Sequence, residues 1–91
     1  MSAELDSITT GGNRKLVAAQ LHHAERTGAG QVAAFTVECD RIAASVNADY
    51  DNLFARTGES VTTAKSTFAT KVTACKTAAT NAGKVEPPSA A

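Results

Sequence analysis

The chain has 91 residues, a formal net charge of zero, 43 % apolar residues and only 4 % aromatic ones. That describes one small domain with no broad electrostatic attraction for nucleic acid or for an anionic lipid surface. No run approaches the roughly 20 apolar residues of a membrane span, so neither nucleic acid nor membrane is an expected partner.

Residues 1–12 read as an N-terminal arm. The start, Met1-Ser2-Ala3-Glu4-Leu5-Asp6, is acidic and lacks the basic-then-apolar pattern of a secretory signal. Ser2 can cap a short turn through Leu5 and Ile8, and Thr9-Thr10-Gly11-Gly12 is expected to end it. Asn13 then serves as the N-cap of a first helix over 14–27, with Leu16, Val17, Leu21 and Ala24 as its apolar residues.

Gly28-Ala29-Gly30 follows. Two glycines cost about 2 kcal/mol in a helix interior, which favours a break. The competing expectation is one helix from Asn13 to Arg56, since Val17, Leu21, Ala24, Gly28, Val32 and Phe35 keep one phase. With a break, the first helix folds back on the second, placing Leu16 near Ile42 and His23 near Phe35.

The second helix is expected over 31–56, about 39 Å long. A turn at 57–59 carries Gly58 as the helix C-terminal glycine. The third helix spans 60–82 and is rich in threonine, a poor helix former, so packing must sustain it. Positions whose numbers add up to 114 pair across the turn: Leu53 with Val61, Tyr50 with Ala64, Val46 with Phe68, Ile42 with Val72, Cys39 with Cys75, and Phe35 with Ala79. Each arm steps by three and four residues, one stripe of an α-helix. Asp49 with Lys65 and Glu38 with Lys76 fall at the same sum and are expected to flank the seam. Such exposed pairs are worth about 0–1 kcal/mol each, so they set register more than stability. The fold class is therefore all-α: an antiparallel helical hairpin of coiled-coil character with an additional N-terminal helix, forming a domain over 13–83. Residues 84–91 make an extended tail, because Pro87 and Pro88 cannot continue a helix.

Cys39 and Cys75 are the only cysteines. Their pairing predicts a disulfide between the arms, favouring a virion or an extracellular setting over the cytoplasm. The competing expectation is two buried free thiols. His22-His23 is the one feature resembling a metal site. Adjacent helical residues diverge by about 100°, and His22 with Glu25 supplies only two ligands. Gly11-Gly12-Asn13-Arg14-Lys15 places glycines and cations at an expected helix start, where an anion can bind. The phosphate-loop spacing is missing, however, and a flexible hinge is the stronger expectation. No catalytic, cofactor-binding or metal-ligating residue is expected, and no small-molecule substrate.

In length and hairpin architecture the chain resembles the small secreted helical hairpins of the WXG100 family. The resemblance implies a helical interaction module acting as a dimer. It carries no residues over, because Phe54-Ala55-Arg56-Thr57-Gly58 stands where a Trp-x-Gly turn would. The leading expectation is a non-enzymatic structural subunit repeated in a larger particle, such as a capsid or tail component of a bacteriophage virion. Large core side chains are few, and a core of that size calls for a staple or an oligomer. Val17, Leu21, Gly28, Gly30 and Val32 are the expected contacts with other copies, together with the tail.

Overall fold

The computed structural model describes residues 2–88; Met1 of the expected arm and Ser89, Ala90 and Ala91 of the expected tail lie outside the described residues. Three helices follow one another: α1 (Ala3–Ala24), α2 (Gln31–Thr57) and α3 (Thr62–Ala82). Among the described residues there is no strand, and the chain is all-α.

The first helix starts eleven residues earlier than the sequence suggests. Ser2, not Asn13, is the N-cap: its hydroxyl accepts from the Leu5 N–H at 3.1 Å. That hydroxyl also donates to Glu59 at 2.6 Å, and the Ser2 N–H donates to the other oxygen of the same carboxylate at 3.1 Å. The start of α1 is thus clasped to the loop before α3. The two glycines expected to end a short turn lie inside the helix. Gly12 is buried, and a Cβ there would come within 2.8 Å of the Phe68 ring and 2.9 Å of the Val46 methyl. Its missing side chain lets three helices meet, and that packing offsets the roughly 1 kcal/mol of poor helix propensity. No helix begins at Asn13: residues 11–15 lie inside α1, so neither the expected hinge nor the alternative of an anion-binding helix start is found there. Asn13 instead accepts a hydrogen bond from Lys71 of α3 at 3.1 Å.

The break between α1 and α2 is real, and the single long helix is excluded. Gly28 and Gly30 adopt φ of 119° and 95°, a region that favours glycine. α2 then buries Phe35, Cys39, Ile42, Val46, Tyr50 and Leu53, the stripe that the spacing predicts. Gly58, at φ 75°, ends it and donates to the Phe54 carbonyl at 2.8 Å. Val61 is buried in a non-helical conformation, so α3 begins at Thr62 rather than at 60. The Lys65 N–H donates to the Val61 carbonyl, which opens the helical ladder there.

The expected charge pairs are replaced by their neighbours. Lys65 meets Asp51 at 2.6 Å and Lys76 meets Asp40 at 2.7 Å, in place of Asp49 and Glu38. The reason is α1, which packs on the other flank of α2. Glu38 meets His23 there, and Asp49 borders a groove with Gly11 and Lys15. Asp40 and Asp51 are left for α3.

The buried positions recur every eleven residues: Leu5 and Leu16, Gly12 and His23, Phe35 and Val46, Cys39 and Tyr50, Ile42 and Leu53, Val61 and Val72, Phe68 and Ala79. Three helical turns separate the members of each pair. The core is therefore built in repeating layers along a body of 45 × 25 × 17 Å.

Beyond Gly83, the chain turns back. Val85 is 7 % exposed and belongs to the core cluster, so residues 84–88 have a core of their own to hold them. α1 and α3 both pack mainly on α2 and touch one another least, which leaves a seam open between them.

Candidate functional site

The expected contact residues separate into three kinds. Val17 and Leu21 are 42 % and 44 % exposed, two apolar side chains four residues apart on α1. Val32 is half-buried and packs against the core, so it is a core residue first. Gly28 and Gly30 have open space where a side chain would stand. Within the chain they shape the backbone of the α1–α2 loop, and the glycine that lets helices approach closely is Gly12. Nothing in the sequence marks Gly12 over Gly11 except its eleven-residue distance from His23. Val37 and Phe54, about half exposed on α2, are further apolar surface that the sequence reading passed over.

Cys39 and Cys75 are both free thiols and no disulfide joins them, and the competing expectation of two buried thiols holds for Cys39 alone. Cys39 is fully buried and Cys75 half-buried. Removal from water, reinforced by the Cys75 thiol nearby, pushes the Cys39 pKa up to about 11. Burial likewise raises that of Cys75. A thiol held protonated is a poor nucleophile, and burial disfavours the thiolate at both positions.

His23 is the buried polar residue of the core. Its Nε2 lies 2.7 Å from Glu38 and its Nδ1 3.1 Å from the Gln31 side-chain oxygen. The ring stands edge-on to Phe35 at 5.8 Å, the neighbour expected once the helices break. Both ring nitrogens are engaged, so the residue fastens the top of α1 to α2. His22 and Glu25 form no site. No group of three or more potential metal ligands occurs among the described residues, and no helix there is long and apolar enough to cross a membrane.

Two hollows lie along the α1–α3 seam. The upper one, about 260 Å³, is bordered by Gln20 of α1, by Cys75, Ala78 and Ala79 of α3, and by residues 84–88 of the chain itself. The lower one, about 850 Å³, has Thr9 and Thr10 on one wall, with Ala64, Thr67 and Phe68 on the other. The Asn13–Lys71 hydrogen bond crosses the seam at one end of the lower hollow, and the Ser2–Glu59 clasp closes the opposite end. Its Glu59 carboxyl is held below the ordinary carboxylate range by the Ser2 hydroxyl and then by the Ser2 N–H.

No family model, no curated protein and no solved structure matches the chain.

Proposed function

We propose that the chain is a non-enzymatic structural subunit, repeated in a larger assembly such as a bacteriophage virion. In this reading α2 and α3 form an antiparallel hairpin and α1 lies against it as the face offered to other copies. The observation that carries the reading is the exposure of Val17 and Leu21. Side chains four residues apart lie one above the other on a helix, and a second copy would remove both from water. The hairpin geometry is supported by the two ion pairs, in which higher numbers on α3 meet lower numbers on α2. The alternative of a two-helix WXG100-like dimer is weakened by α1, whose 22 residues add a third helix to the core.

Light scattering on the full chain at micromolar concentration tests the reading. The expected result is a species larger than one chain, reduced to the monomer by Leu21→Asp with the helical circular dichroism unchanged. A monomeric wild type with a concentration-independent melt would overturn it.

A further inference from the structure

The outward face of α1 is the side turned away from the buried Leu5, Gly12, Leu16, Ala19 and His23. At the helical angle of about 100° per residue, that face runs through Arg14, Ala18, Leu21 and Glu25, with Val17 at its edge. All five are exposed. Arg14 and Glu25 lie on one azimuth, three helical turns or about 16 Å apart. Neither has an ion-pair partner among the described residues, where the pairs are His23–Glu38, Arg56–Glu4, Lys65–Asp51 and Lys76–Asp40. Glu25 is also the C-cap of α1. A carboxylate there meets the negative end of the helix dipole, where a cation is favoured. The adjacent Arg26 makes no ion pair with it, and its guanidinium lies against His22 Nε2 at 3.4 Å.

We propose that this face docks α1 of a second copy, packed antiparallel about a two-fold axis beside Ala19 and Gln20. The inference rests on the self-association proposed above and adds the partner element, its direction and its register. Charge decides the direction. A parallel pair of α1 helices would set Arg14 against Arg14 and Glu25 against Glu25. An antiparallel pair sets Arg14 of each copy against Glu25 of the other, twice over. Each Glu25 then gains the cation that its place at the helix end favours. In the same register Leu21 of each copy faces Ala18 of the other, a large apolar side chain over a small one. Val17 flanks that contact and leaves water with it. The face points away from α2 and α3, so the rest of each copy stays clear of the contact. A two-fold contact uses one patch on both copies and closes on itself. The unit offered to a larger assembly is therefore a pair of chains.

Sedimentation equilibrium on the full chain and its charge variants, at low salt, tests the register. Arg14→Glu and Glu25→Arg should each weaken self-association about tenfold, because two attractions become two repulsions. The double variant Arg14→Glu/Glu25→Arg should return to within about threefold of the wild type. An equimolar mixture of the two single variants should also associate, since each chain then faces only opposite charge. Arg41→Glu, on α2, changes the net charge as Arg14→Glu does and should leave association unchanged. Single reversals without effect, a double variant no tighter than the singles, or an equal loss in Arg41→Glu would overturn the antiparallel contact while self-association stands. A monomeric wild type would overturn both. Glu25→Arg places a favourable charge at the helix end, so weaker association in that variant is not lost helix. Circular dichroism melts of all the variants check that each is folded.

Discussion

Two adjacent glycines in α1 have opposite meanings. A Cβ at Gly11 meets nothing within 4 Å, whereas one at Gly12 collides with Phe68 and Val46. Gly11→Ala therefore gains helix propensity without penalty and should stabilise the fold by about 1 kcal/mol. Gly12→Val should destabilise it by about 1–3 kcal/mol through overpacking. Urea denaturation of the two variants measures both signs, and equal effects would reject the close contact. Cys39 makes a second prediction at this scale. Its pKa lies at about 11 in the fold against an ordinary 9.0. The folded thiol thus holds its proton where the unfolded one has lost it. Its contribution is complete below pH 9 and is lost as the pH rises toward 11. Denaturation between pH 8 and 11 should show a steeper fall for the wild type than for Cys39→Ala.

At the level of elements, the stripe of α2 was legible because six large buried residues fall on one helical phase between two glycine-marked ends. The α1–α2 break was legible for a similar reason: at Gly28 and Gly30 the local chemistry and the tertiary structure agree. The start of α1 was not, because local propensity and tertiary packing disagree there. Thr9-Thr10-Gly11-Gly12 reads as a terminator on propensity alone, and only contact with α2 and α3 reveals why a helix passes through. The charge pairs failed for a related reason. A two-arm scheme assigns Asp49 and Glu38 of α2 to α3. With α1 present, Glu38 faces His23, and Lys76 finds Asp40 instead. Threonine-rich α3 illustrates how weak propensity is against burial: Phe68, Val72 and Ala79 hold it to the core.

For the whole molecule, the last described segment is a structural part and not an appendage. Val85 fills the layer that contains Phe35 and Ala79. Val85→Ala should cost about 1–3 kcal/mol, while exposed Pro87→Ala should stay within about 0.5 kcal/mol. Chemical denaturation distinguishes the two, and a neutral Val85→Ala would place the segment outside the core. This role was not legible in the sequence, since a single valine beside two prolines carries no periodicity. The candidate surfaces were half legible: Val17 and Leu21 stand out as apolar on a polar face, but the seam beside them exists only once three helices share one core.

The eleven-residue spacing of the buried layers also sets how the architecture can change in length. Eleven residues over three turns give about 3.67 per turn, close to the 3.6 of a straight helix and slightly on the right-handed side. The helices can run side by side with little coiling, and each layer resembles the next. One extra residue in α2 would rotate everything beyond it by about 100° and turn the Phe35-to-Leu53 stripe out of register with α1 and α3. Eleven residues added to all three helices together would restore the phase and lengthen the body by about 16 Å. Length in this fold is a stepped quantity, and the step is one layer pair.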